Sequence, residues 1–209
     1  MDIIKQLQWR YATKKFDATK TLNAAKLNTL KEAFNLTATS FGLQTLSLVI
    51  VKNKALRESL LPHSYNQPQV VNASHLLVIC IQEDIQEQDV VNYYNNIKTI
   101  RNTPESILKP YREQLVGIMQ GKSVEQRQNW SKNQAYIALG NLMTVCAIEN
   151  IDACPMEGFI PDKYDEILQL KEKGLKSVLI MPVGYRDAND MFSTLKKVRK
   201  SIDQSIIEI

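Results

Sequence analysis

The residues of this 209-residue chain with the plainest chemical capacity are cationic and stand at its two ends. Arg10-Tyr11-Ala12-Thr13-Lys14-Lys15 follows the first helical stretch, and Lys196-Lys197-Val198-Arg199-Lys200 precedes the last few residues. Lys197 and Arg199 are two apart, so in extended chain they project to one side and could grip one phosphate, the guanidinium as a fork and the ammonium as a point charge. On a helix they would diverge. Each cluster alone is more often a solvated face than a site. Two loops add polar groups. Cys154-Pro155-Met156-Glu157-Gly158-Phe159 holds a Pro/Gly turn that exposes backbone amides, and Thr39-Ser40-Phe41-Gly42 offers hydroxyls. Both also read as plain connections.

Other chemistry is excluded by spacing. Gly121-Lys122-Ser123 imitates the end of a phosphate-binding loop, but Val116 stands where that motif needs glycine. No Gly-x-Gly-x-x-Gly follows a strand, and no Gly-x-Ser-x-Gly elbow offers a nucleophile. The only histidines, His63 and His75, lack ligand spacing to a cysteine or carboxylate, so no metal is expected. Cys80, Cys146 and Cys154 are an odd count beside apolar runs, which fits buried, reduced thiols. A net charge of +4 does not demand a nucleic-acid partner. Its apolar runs are too short to span a bilayer and Met-Asp-Ile-Ile-Lys is no signal peptide, so a cytoplasmic chain with no membrane partner is expected.

The elements that must position these groups follow from hydrophobic pattern. Residues 46–51, 75–82 and 176–184 are rich in Val, Ile and Leu and read as central strands. Leu27, Leu30 and Phe34 repeat at helical spacing, as do Tyr164, Ile167, Leu168 and Leu170 ahead of a Lys173-Gly174 stop. From 135 to 148 nearly every residue is apolar or small, so that helix must be buried inside the domain or against a partner. Strands scattered among helices of unequal length favour an α+β sandwich over a doubly wound parallel sheet. No repeat or linker divides residues 1–209, which read as a single domain. The apolar end, Ser205-Ile206-Ile207-Glu208-Ile209, should pair with something: an edge of its own sheet, or a second subunit by strand exchange.

Taken together, Arg10-Tyr-Ala-Thr-Lys14-Lys-Phe-Asp17, Thr39-Ser-Phe-Gly-Leu-Gln44, Asn72-Ala-Ser-His75, Cys154-Pro-Met-Glu-Gly-Phe159 and Lys171-Glu-Lys-Gly174 leading to Pro182-Val-Gly-Tyr185 resemble the bacterial FMN-dependent NAD(P)H nitroreductase family. The likeness runs along essentially the whole chain and is weakest between about Asp84 and Gln128. It implies a nitroreductase-like α+β sandwich, with a central, mostly antiparallel sheet flanked by helices, forming one FMN-binding domain. It also implies a homodimer with two FMN molecules at the subunit interface. The 135–148 helix would then lie in the dimer core, and the C-terminal strand would be exchanged with the partner.

By position, Arg10, Lys197 and Arg199 match the family's phosphate ligands. Ala12, beside Tyr11 in the same cofactor-binding stretch, falls where a serine often bonds that phosphate. Losing one neutral hydrogen bond there costs about 1 kcal/mol. Lys14 matches the lysine near flavin N1 and the C2 carbonyl, where a fixed cation favours the reduced anion. Glu157 and Gly158 match the loop whose amides face the N5 and O4 edge. Thr39, Ser40 and Gly42 match a stretch supplied by the other subunit. Asn66 matches a flavin-bonding asparagine, although Tyr65-Asn66-Gln67-Pro68-Gln69 departs from the usual pattern, and Gln69 stands where some members carry a second lysine.

The implied activity is hydride transfer from NADH or NADPH to FMN, then two-electron reduction of a small-molecule acceptor, a nitroaromatic or a quinone, by ping-pong kinetics. No side chain need be catalytic in its own right. Tyr93, Tyr94 and Tyr111 are candidates to line the acceptor cavity, or else packing residues. An azo, quinone or dihydropteridine reductase on the same scaffold is the alternative. A cofactor-free polyanion-binding module is the distant one; it would need the cations in one exposed stripe with interleaved aromatics.

Overall fold

The computed structural model describes residues 2–209. In chain order its elements are α1 (Ile3–Trp9), α2 (Ala24–Asn35), β1 (Leu46–Val51), α3 (Lys54–Leu60), α4 (Gln69–Asn72), β2 (His75–Gln82), α5 (Glu87–Arg101), α6 (Glu105–Gln120), α7 (Val124–Ile148), β3 (Asp152–Ala153), α8 (Pro161–Ile167), β4 (Leu175–Gly184) and α9 (Ile202–Ser205). The strands form one sheet in the order β1-β2-β4-β3, every neighbouring pair antiparallel.

Strand β2 is central and its side chains alternate between two cores. Leu76, Val78 and Cys80 meet Leu60 of α3, Val70 of α4, Tyr164 of α8 and Phe16. Leu77, Ile79 and Ile81 meet Leu30 of α2 and Ala135, Leu139, Leu142 and Cys146 of α7. Burial on both faces explains why β2 reads as an unbroken apolar run. Helices α5 and α6 form a separate packed layer around Val90, Leu115 and Met119. No described helix is long and apolar enough to cross a membrane.

Several details differ from the pattern-based reading. Helix α8 stops at Ile167, not at Gly174, because Gln169 turns left-handed (φ 52°) and the Leu170 N–H reaches back to Asp165 O at 2.9 Å. The 135–148 segment buries one face on the sheet, but Tyr136 and Ile137 are left 47% and 50% exposed by the single chain. It is therefore not enclosed within its own domain. Residues 206–209 join no strand of their own chain, and the short helix α9 precedes them. The two-residue strand β3 carried no sequence signal, being too short for a period.

Candidate functional site

The local chain path brings the two basic ends together. Asp2 caps α1 by accepting from the N–H groups of Ile4 and Lys5, and the helix ends where Arg10 turns extended. The chain then runs beside β3 and the end of β4: Thr13 N–H donates to Ala153 O at 3.2 Å, and Asp17 N–H to Tyr185 O at 2.9 Å. Arg186 fixes this path further. Its guanidinium lies over the rings of Trp9 and Tyr11, 4.2 and 4.6 Å from their centroids. Its Nε donates to Asp152 Oδ1 at 2.7 Å, and its backbone N–H to Asp152 Oδ2 at 2.8 Å.

A cavity of about 280 Å³ opens where the ends meet. Arg10, Tyr11, Ala12 and Lys14 line one side, Lys197 and Arg199 the other, and Lys196 stands beside them. Lys197 Nζ donates to the carbonyl oxygen of Arg10. Among the described residues none of Arg10, Lys14, Lys197 and Arg199 has a carboxylate within salt-bridge distance. Burial, then the charge of Arg199, holds the Arg10 pKa below its ordinary value. Burial, then Arg10 and Arg199, does the same to Lys197. Like charges held together without a counter-ion are a site for an anion.

A second group of predicted residues adjoins Lys14. Its Nζ stands 3.9 Å from Cys154 Sγ, a buried thiol whose pKa is raised by burial despite Lys14 and a hydrogen bond with Gln69. Gln69 is itself buried, and its Oε1 has no partner. Gln67 Nε2 donates to Gly158 O at 2.9 Å and so ties the 65–69 turn to the 154–159 loop. A Cβ on Gly158 would stand 3.0 Å from that nitrogen, so glycine lets the two segments close. The loop is zipped along β4 through Cys154 N–H to Pro182 O and Met156 N–H to Ile180 O, while the N–H groups of Glu157 and Gly158 find no acceptor among the described residues. The Glu157 side chain accepts from Tyr136 Oη at 2.7 Å, and Asn66 is exposed in a left-handed conformation.

Thr39, Ser40 and Gly42 are not brought to this cavity. Ser40 N–H donates to Gln134 Oε1 at 2.8 Å, and Thr39 lines a separate hollow with Phe34 and Leu46. Gly42 has φ 70°, and a Cβ there would come within 2.4 Å of Tyr93 Oη, so only glycine fits the turn. Tyr93 and Tyr94 pack edge to face within the α5–α6 layer, whereas Tyr111 is exposed. No cluster of three or more metal-ligating side chains occurs among the described residues. His75 Nδ1 lies 2.8 Å from Ser74 Oγ inside the core. The organisers Asp152, Arg186 and Asp190 escaped sequence reasoning. Of these only Asp190 carries a local signal, as the capping acid ahead of the short 191–194 turn.

The family model described as "Nitroreductase family" matches residues 7–185. A Staphylococcus epidermidis relative, named as a proposed NAD(P)H nitroreductase, is 34% identical over 172 residues, covering 79% of this chain and 77% of its own. A crystal structure of a proposed nitroreductase from Bacillus subtilis superposes with a TM-score of 0.88 at 18% identity, covering 99% of this chain and 98% of the other. Another, from Exiguobacterium sibiricum, was solved in complex with FMN; it superposes at 0.84 with 14% identity, covering 100% and 98% of the two chains.

Proposed function

Because the chain belongs to the nitroreductase family, a family of oxidoreductases, we propose that it binds FMN in the cavity between its two ends and reduces small acceptors at the expense of NADH or NADPH. The observation that carries this reading is the group Arg10, Lys197 and Arg199, cations that line one cavity and have no carboxylate within salt-bridge distance among the described residues. A phosphate monoester supplies the missing charge. The FMN held by the Exiguobacterium neighbour is such an ester. The cations converge on one cavity, whereas a polyanion-binding module would need them strung along a stripe with interleaved aromatics.

Bound there, FMN would supply hydride acceptance from the nicotinamide and two-electron delivery to a nitroaromatic or quinone, the two partners taking turns in one space. The protein's share is to bind, orient and charge. Arg199 offers its fork and Lys197 and Arg10 further charge to the phosphate, while Ala12 leaves room without a hydroxyl. Lys14 sets a fixed cation where negative charge would accumulate on reduction, and Gln69 stands by as an uncharged donor. The unengaged amides of Glu157 and Gly158 are donors for the flavin edge.

The same reading makes the functional unit a homodimer. Thr39, Ser40 and Gly42 of each chain would complete the other's site, together with Asn66 of the chain that holds the phosphate. The half-exposed Tyr136 and Ile137 of α7 and the apolar C-terminal residues are the surfaces a second copy would cover.

Colour tests the proposal. Purified protein, or protein given FMN, should be yellow and should bleach on addition of NADH or NADPH under argon, with colour restored by a nitroaromatic or quinone. A protein that takes up no FMN overturns it.

A further inference from the structure

One carboxylate joins the two halves of the cationic cavity without touching any of its charged groups. Asp190 is 3% exposed. Its Oδ2 accepts from the Tyr11 hydroxyl at 2.9 Å, the Lys14 N–H at 2.8 Å and the Lys15 N–H at 3.0 Å. Its Oδ1 accepts from the Phe192 N–H at 3.0 Å, which starts the turn leading into the basic arm. The neighbouring Asp187 reinforces the seam, its N–H donating to Lys15 O at 2.9 Å and its carboxylate lying 3.4 Å from Lys15 Nζ.

We propose that Asp190 is a positioning residue for cofactor binding: it fastens the C-terminal arm bearing Lys197 and Arg199 to the extended segment bearing Arg10 and Lys14, so that the phosphate meets a preassembled clamp. This deepens, and rests on, the FMN reading given above.

Three features support it beyond the contacts themselves. The arm from Leu195 to Lys200 has no regular secondary structure and is exposed, so its own hydrogen bonds do not hold it. Arg10, Lys197 and Arg199 repel one another, so the empty clamp tends to open unless something neutral or negative behind it holds both sides. Asp190 is suited to that task because its bonds go to backbone N–H groups and a hydroxyl. It leaves every ammonium and guanidinium free to face the cavity. Burial pushes its carboxyl upward, but bonds from the Lys15, Lys14 and Phe192 amides and the Tyr11 hydroxyl together hold it below the usual carboxylate range. It is therefore ionised at neutral pH.

The test compares FMN dissociation constants after flavin is stripped and returned. Asp190→Asn should weaken FMN about tenfold in the wild-type background, since it exchanges charge-assisted bonds for neutral ones. In a Lys197→Ala/Arg199→Ala background, where the arm has lost both of its proposed phosphate ligands, the same change should cost less than threefold. Tyr11→Phe, which keeps the carboxylate and removes one bond, should lie between wild type and Asp190→Asn. Trypsin cleavage of the flavin-free protein at Lys196–Lys200 should be at least threefold faster in Asp190→Asn. Equal FMN affinity in wild type and Asp190→Asn, or an equal loss in both backgrounds, overturns the proposal. Wild-type protein that binds no FMN would sink the proposed function instead, and arm cleavage would still decide the role of Asp190: a faster rate upholds the fastening, and an unchanged rate refutes it.

Discussion

Lys197 Nζ donates to the backbone carbonyl of Arg10, a residue 187 positions earlier in the chain. The bond lets two cations of like charge stand together, because the ammonium is directed at a carbonyl dipole and not at the guanidinium. It also defines the site as a meeting of termini. Neither end alone encloses an anion, and a phosphate placed between them would convert mutual repulsion into shared attraction.

Replacing Arg199 by Ala should therefore loosen FMN in both redox states, since the phosphate carries the same charge whether the ring is oxidised or reduced. A charge-assisted bond is worth about 1.5–3 kcal/mol, so the dissociation constant should rise about 10- to 150-fold. Flavin fluorescence titration of oxidised and dithionite-reduced protein measures both. An effect confined to one state would place Arg199 at the ring and not at the phosphate.

Lys14 should behave in the opposite way. Its ammonium faces Cys154 and, beyond it, Gln69, on the side of the cavity next to the 154–159 loop, so Lys14→Ala should weaken the reduced state more than the oxidised one. For a two-electron couple about 30 mV corresponds to a tenfold difference in affinity between states, and a fall of about 30–60 mV is expected. Gln69→Lys, which adds a second cation at the same place, should move the potential upward. Potentiometry that finds neither shift would remove Lys14 from the flavin's pyrimidine side.

FMN affinity should depend on pH with two limbs. Burial and the charges of Arg10 and Arg199 hold Lys197 below its ordinary 10.5 in the free protein, and a bound dianion would raise it again. The bound form then holds a proton that the free form has lost, so affinity falls as pH rises through the lowered pKa, before 10.5 is reached. On the acid side affinity falls below about pH 6, where the phosphate gains its second proton. Dissociation constants across this range check both limbs, and Lys197→Arg should abolish the alkaline one.

Much of this architecture is legible in the residues because burial writes a pattern. The runs at 75–82 and 176–184 are the inner strands β2 and β4, the latter less its first residue, apolar because an inner strand is buried on both faces, whereas 46–51 is a strand over those same residues but stands at the sheet's edge, half-buried and not central as its composition suggests. The convergence of Arg10 with Lys197 and Arg199 had no local signal. It followed only from the family resemblance, because contacts between chain ends leave no periodicity. Asp190 and Asp152 escaped for a related reason, and Arg186 with its partner Asp152: a carboxylate that serves backbone amides looks like any turn acid until its donors are known. Gln169 and Asn150 end α8 and α7 in left-handed conformations that glycine more often occupies, so the glycine at 174 is a misleading stop signal for α8.

The last nine residues offer the cleanest test of the proposed dimer. Ile202, Ile206 and Ile207 are 78%, 56% and 84% exposed in the single chain, and Ile209 is exposed as well. Burying one such side chain contributes about 1.5–3 kcal/mol, so a partner that covers several of them gains stability large on the scale of a domain. A chain ending after Lys200 keeps Lys197, Arg199 and Asp190, and hence the clamp, but loses this apolar surface. It should dissociate at higher protein concentration than the full chain, and its thermal midpoint should fall and become concentration-dependent. Flavin binding by the dissociated form should weaken as well, because Thr39, Ser40 and Gly42 would no longer be supplied from the other side. Analytical ultracentrifugation across a dilution series separates the cases: an unchanged dimer with an unchanged midpoint would mean that the C-terminal residues exchange with nothing, and that α7 alone must carry the contact between copies.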